Sequence, residues 1–392
     1  MSAAAPADDR TALAVARRIA DTIAARHADE VDRASRFPAE TIAALREEGL
    51  LSAYVPAALG GRSTSFGELV AICTALGQRC SASAMVFAMH QIQVGCIVHH
   101  GLTTDYFRDY CRQLVEQQWL IASVTSELGV GGDTRSSICA VEVDGARFAL
   151  DKIATTISYG AHADDLLVTC RRDPQAARSD QVMVLLRQGS FSLEQTSQWD
   201  TLGMRGTCSP GFKLASTGSV DQILPVDYAE VSGATMVPFS HILWAGVWLG
   251  IATDATARAA ASVRAAARQN PGTVPPTALR LAELAGALQT MRAQVQEAVA
   301  SFEALLAAPE GADTFSTIAF ALRMNHLKIA CSTAVVDIVQ QALLICGIQG
   351  YRNGSPASVG RHLRDALSAP LMVGNDRMHA QNASLLLVHK DI

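Results

Sequence analysis

The chain has 392 residues, 49% of them hydrophobic, which is enough to bury two or three packed lobes rather than one core. Its net charge of −5 is spread without a basic block, which argues against nucleic acid or an anionic membrane surface as a partner. The opening MSAAAPADDR carries acids and no apolar core, so no secretion signal is expected; no apolar run is read as reaching the roughly 20 residues that span a bilayer.

Residues 10 to about 120 read as helices. "TALAVARRIADTIAARHADEVDRASRF" places apolar residues at helical spacing, and "PAETIAALREEGLL" opens on Pro38 and stops at Gly49. "SFGELVAICTALGQRCSASAMVFAMHQIQVGCIVHHG" supplies one or two mostly buried helices. From about 121 to 232 the texture changes to short alternating or β-branched runs punctuated by Gly, Asp and Ser, the signature of an antiparallel, barrel-like β domain. "EVDGARF" is a hairpin signal. From 233 onward the helices return as long Ala-rich stretches, "HILWAGVWLGIATDATARAAASVRAAARQ" among them, followed by a last one in "DRMHAQNASLLLVHKD". Four such helices are the count of a bundle. The expected architecture is α+β, with lobes at 1–120, 121–232 and 233–392 and a cleft where they meet.

Nine cysteines are scattered with no Cys-x-x-Cys pair, which fits buried free thiols in a reducing cytoplasm. His99-His100 is the one tight histidine pair, and adjacent helical residues point different ways, so no metal centre is expected.

Five motifs follow one another along the chain. "SELGVGGD" (126–133) is a glycine-rich loop after the β-like run "LIASVT". "DKIATTISYG", "WDTLGMRGTCS", "ICGIQGYRNGSP" and "RHLRDA" come after it. In this order they resemble the acyl-CoA dehydrogenase superfamily over nearly the whole chain. The resemblance implies that family's fold: an N-terminal helical domain, a central β domain and a C-terminal four-helix bundle. It implies FAD between the β domain and the bundle. Ser126 and Thr156 match hydroxyls that face the flavin ring, and Gly132 falls where many members carry a substrate-side serine. Arg268 matches an arginine that reaches the FAD diphosphate of a neighbouring subunit, and Gly347 and Gly350 match glycines beside the FAD tail. Ala154 replaces the tryptophan that usually covers the ring, Pro271 replaces a phenylalanine, and Leu344 stands where a glutamine often does. These departures bring in FMN as the alternative cofactor.

In that family a carboxylate removes the α proton of an acyl thioester while the flavin accepts the β hydride. The usual glutamate position, eight residues after Asp365, is Val373. The other position, upstream of "AGVWLG", is near Ser240. Neither holds a carboxylate. Three readings follow. A relocated base would come from Asp376, Glu127 or His241, since Asp376 is one helical turn beyond Val373. A flavin monooxygenase of the same fold needs no such base; His90 and His379 are then candidates to orient the flavin-bound oxygen or to deprotonate the substrate. A scaffold subunit would hold flavin without chemistry. The expected function is α,β-dehydrogenation of an acyl thioester, with reduced-flavin-dependent hydroxylation of a small organic substrate as the alternative. The resemblance also implies a homodimer or homotetramer. It further implies an electron-transfer flavoprotein or a flavin reductase as redox partner.

Overall fold

Thr11 opens the first helix by accepting a hydrogen bond from the Ala14 amide. The computed structural model describes residues 11–308 and 311–389; the expectation for residues 1–10 lies outside them. The N-terminal helices are α1 Ala12–Ile19, α2 Ala25–Ala34, α3 Ala39–Glu47, α4 Phe66–Gly77, α5 Ser81–His100 and α6 Asp105–Gln117. Strands β1 Ile121–Val124, β2 Glu142–Asp144, β3 Arg147–Ala154, β4 Asp165–Arg171, β5 Gln181–Leu186, β6 Phe191–Gln195 and β7 Phe212–Ser219 follow.

The strands make two sheets, in the orders β1-β4-β5 and β2-β3-β7-β6. The β2–β3 hairpin forms as expected, with Asp144 opposite Arg147 and Gly145 at φ 59°. The domain is not wholly antiparallel, however: β1 pairs with β4 in parallel. Alternation alone cannot show this, because the connection that reverses the direction runs through the second sheet.

Helices α7 Tyr228–Val231 and α8 Val237–Gln269 are joined by a π turn over Ser232–Met236, so the bundle begins before residue 233. The π turn lies just before Pro238, which has no amide to donate. Then come α9 Thr277–Ala307, α10 Gly311–Phe315, α11 Ile318–Cys346, α12 Ile348–Tyr351, α13 Gly360–Ala366 and α14 Asn375–Leu386. The fourth bundle helix is thus much shorter than the other three.

Helix α8 is the centre of the molecule and packs on α4, α5, α9 and α11. Its "AGVWLG" element is a helix crossing: a Cβ on Gly250 would lie 2.4 Å from the Thr74 carbonyl oxygen, and one on Gly77 2.6 Å from that of Val247. Three helical stretches, Ser81–His100, Tyr228–Gln269 and Ile318–Cys346, are long and apolar enough to cross a membrane by length and composition. This corrects the reading that no run was. In the first two, 89% of the most apolar stretch is buried inside the protein, because a helix surrounded by others must be apolar on every face. All nine cysteines are free, seven of them buried. Among the described residues no three His, Cys, Asp or Glu side chains cluster to hold a metal ion.

Candidate functional site

The Arg-Asp pair of α13 ties the lobes together. Asp365 is buried and accepts from the Met204 amide at 2.6 Å and from the Ser81 hydroxyl. Burial pushes its carboxyl above the ordinary aspartate value. Arg364 grips Asp32 with both terminal nitrogens and also donates to the Leu202 carbonyl. Gly203 is required there, since a Cβ would lie 2.0 Å from the Arg364 oxygen. The "LGMR" and "RDA" motifs therefore interlock, and the turn Leu371–Gly374 that follows lines a cleft.

The cleft comprises two adjoining cavities of about 530 Å³ each, which share Met89, Thr156, Ser158, Leu371, Met372 and Val373. The β domain contributes a wall rich in hydroxyls, including Ser123, Thr125, Ser126, Thr155 and Thr156. The helices contribute an apolar wall, including Ile92, Met236, Val237 and Trp244.

Ser126 and Thr156 meet as expected: the Ser126 hydroxyl donates to the Thr156 carbonyl at 2.6 Å and accepts from its amide at 3.0 Å. The Thr156 hydroxyl has no partner among the described residues and lines both cavities. Gly132 also lines the cleft, at φ 77°. Its carbonyl and that of Gly131 accept from Arg377 on α14, so the glycine loop is latched to the bundle.

His241 lines the cleft, one residue after Ser240. Its Nδ1 lies 3.0 Å from the Met324 carbonyl oxygen, which can only accept, so Nδ1 carries the proton and Nε2 is the free lone pair. Burial pulls its pKa down to about 4, helped by the charge of Lys328, so the ring is neutral near pH 7.

The other expected catalytic residues are not in the cleft. His90 is wholly buried and spent on the backbone: Nε2 donates to the Leu51 carbonyl at 2.6 Å and Nδ1 accepts from the Ile121 amide at 3.0 Å. It pins α5 to β1. Asp376 and His379 are exposed on α14 and line neither cavity. Val373 and Gly374 both take positive φ, 58° and 59°, and α14 starts only at Asn375. Helical spacing from Val373 to Asp376 therefore does not apply. Glu127 is buried facing the β domain, where it accepts from the Ile138 and Cys139 amides at 3.0 and 2.6 Å and sits 3.8 Å from Lys152.

Arg268, Gly347 and Gly350 also lie outside the cleft of their own chain. Arg268 is exposed at the end of α8, and Gly347 ends α11 at φ 60°. Gly350 answers to packing, since a Cβ there would lie 2.6 Å from that of Cys346. Ala154 is buried at the end of β3 rather than presented as a cover.

Gln93, Trp244 and Arg377 line the cleft but were missed from the sequence. Gln93 Oε1 and Trp244 Nε1 are buried without partners among the described residues, a cost that a bound molecule or water can relieve. Trp244 was legible as the residue three positions after His241 on one helix face; its ring centre lies 6.1 Å from that of His241. Arg377 left no such signal.

Residues 6–118 match the N-terminal domain of acyl-CoA dehydrogenase, and residues 236–384 match its C-terminal domain. A probable FMNH2-dependent monooxygenase, SfnC of Pseudomonas putida, is 26% identical over 65% of this chain and 62% of its own length. Other curated relatives are matched over about half their length, 49% and 53% in two cases. TdsC of Paenibacillus sp. A11-2, in complex with FMN and indole, superposes with a TM-score of 0.82 at 20% identity, covering 98% of each chain. Butyryl-CoA dehydrogenase of Megasphaera elsdenii gives 0.79 at 19% identity, covering 99% of this chain and 100% of its own. With both terminal domains matched and the whole fold shared, the chain belongs to the acyl-CoA dehydrogenase superfamily.

Proposed function

We propose that this protein is a flavin-dependent monooxygenase acting on a compact, largely apolar substrate. The observation that carries the reading is the make-up of the cleft. Val373 and Ser240, where the family resemblance places a base, are inside it, and neither is a carboxylate. Among the described residues that line it, Asp133 is the one carboxylate, on an exposed loop where it accepts from the Arg135 amide at 3.0 Å. The likeness to SfnC, a probable FMNH2-dependent monooxygenase, and to TdsC, which binds FMN and indole, supports the same choice.

The cleft suits a flavin. Its hydroxyl wall matches the heteroatom edge of the ring, and its apolar wall matches a flat aromatic face. Ser126 and Thr156 would hold the ring, which in reduced form supplies two electrons to split oxygen. The balance is substrate plus O2 plus reduced flavin, giving oxygenated substrate, water and oxidised flavin. His241 Nε2 accepts a hydrogen bond from a substrate O–H or N–H and so orients it, while Trp244 and the methionines exclude water.

A second reading keeps the thioester oxidation. It rests on His241, whose free Nε2 could take an α proton beside the Ser240 position.

The likeness to FMN-bound TdsC makes FMN the cofactor of choice; FAD would draw on Arg268 of a second copy. We place the protein in the cytoplasm, as a homo-oligomer with a flavin reductase as partner. The exposed Leu344, Ile348 and Tyr351 form an apolar patch at the end of the bundle that suits a second copy.

The test is an anaerobic flavin titration. The reconstituted protein is mixed with a panel of acyl thioesters without oxygen. Separately, reduced flavin, air and a panel of heteroaromatic substrates are supplied. Oxygenated product carrying label from 18O2 supports the proposal. Bleaching of the flavin by a thioester would replace it with the second reading.

A further inference from the structure

Lys328 is completely buried in α11, an apolar helix, with no carboxylate in ion-pair distance among the described residues. Its Nζ donates to Asn375 Oδ1 at 2.7 Å, and no other acceptor is recorded for its remaining N–H groups. A buried ammonium without a counter-charge is costly, and its burial pulls Lys328 down to about 8. Such a group calls for a reason beyond packing.

Its neighbours point to one. Asn375 is the first residue of α14, directly after the Val373–Gly374 turn that lines the cleft. Ser332, one turn along α11 from Lys328, both donates to Asn375 Oδ1 at 3.2 Å and accepts from its Nδ2 at 3.1 Å. In the other direction along α11, Met324 is one turn before Lys328, and its carbonyl holds His241 Nδ1. One face of α11 thus anchors two cleft-forming elements, α8 through His241 and α14 through Asn375. Further along, Asn325 donates to Asn382 at 2.7 Å, so α14 is docked through buried amides.

We propose that Lys328 is a positioning residue of the cleft: through Asn375 it holds the turn that carries Val373, on the same stretch of α11 whose Met324 carbonyl fixes the His241 ring, and it adds a positive charge behind that ring. The use of His241 toward the substrate rests on the function proposed above, but the arrangement itself is tested without flavin or turnover. Lys328 does not line the cleft, so it acts through Asn375, which it holds directly, and through its charge on His241. The charges in play are few. Lys328 is the one charged side chain that perturbs His241. On α14, Asp376 and Arg377 are exposed, the latter engaged with the glycine loop. On α11, His326 is exposed, and from α8 His241 is the ring held against this stretch through Met324.

The experiment is an NMR titration of the histidine ring nitrogens in the full-length protein. In the wild type, the His241 signals should report the Nδ1–H tautomer and show a second, smaller step as Lys328 titrates near pH 8. Lys328→Met should abolish that step and move the His241 midpoint upward, and Lys328→Arg should bring the midpoint back down. Hydrogen exchange at the amides of residues 374–378 should speed up in Lys328→Met and in Asn375→Leu. A wild-type His241 signal flat through pH 8 overturns the proposal even if Lys328→Met fails to fold. So does a His241 midpoint unmoved by that substitution. If these shifts appear but His241→Phe leaves substrate oxidation intact, the arrangement stands and the function assigned to the cleft falls.

Discussion

Ser126 and Thr156 are locked to each other by two hydrogen bonds, from the Ser126 hydroxyl to the Thr156 carbonyl and from the Thr156 amide back to that hydroxyl. Thirty residues apart in sequence, they join the glycine loop to the end of β3 at the hydroxyl-rich wall of the cleft. Ser126→Ala breaks both bonds and frees the loop. A net loss of about 1 kcal/mol is expected. That corresponds to roughly five- to tenfold weaker binding of FMN or FAD, read by flavin fluorescence quenching, with circular dichroism unchanged. Unaltered affinity would mean the pair does not shape the flavin site.

His241 is the cleft residue with a free basic nitrogen. His241→Phe keeps much of the volume and removes the lone pair. Turnover should fall roughly 100-fold while flavin affinity stays within about twofold. Asp376→Asn is the matching control: Asp376 is exposed and outside both cavities, so steady-state rates should not move.

Val373 is β-branched and sits at φ 58°, in the left-handed region. Val373→Gly relieves that strain and should stabilise the fold by about 1 kcal/mol, visible as a higher Tm in thermal denaturation. A lower Tm would show that packing of the valine against the cleft outweighs its backbone cost.

Asp365 is the carboxylate on which three lobes converge. Asp365→Ala leaves the Met204 amide and the Ser81 hydroxyl buried without an acceptor. The expected loss is about 2–4 kcal/mol, measured by urea unfolding.

The buried histidines give a pH dependence with a definite sign. His90 and His241 are both pulled from 6.5 to about 4 by burial. Between those values the unfolded chain binds protons that the folded one refuses. Stability from this source is complete above about pH 6.5 and falls as pH drops toward 4. Each ring contributes on the order of 3 kcal/mol. Urea midpoints taken from pH 7 to 4.5 should fall steeply. His90→Leu should flatten part of that slope while lowering the stability at pH 7, because the Ile121 amide loses its acceptor.

The sequence by itself determined the order of the lobes, the hairpin at Gly145 and the presence of the motifs around Gly203 and Asp365, whose interlocking only the tertiary structure shows. Those features are local or repeat in a fixed order, and periodicity and turn chemistry record them directly. It also determined that no carboxylate stands at Val373 or Ser240, which turned out to be cleft positions. Only the tertiary structure decided which histidine meets the cleft. Helix α5 is buried on nearly every face, so His90 carries no pattern that separates a core residue from a site residue. The same limit applies to Asp376, where two successive positive φ angles broke the spacing that would have turned it inward. It applies to Lys328 as well: a single lysine among apolar residues reads as a helix surface, and only the docking of α14 over it makes it an enclosed charge beside the site.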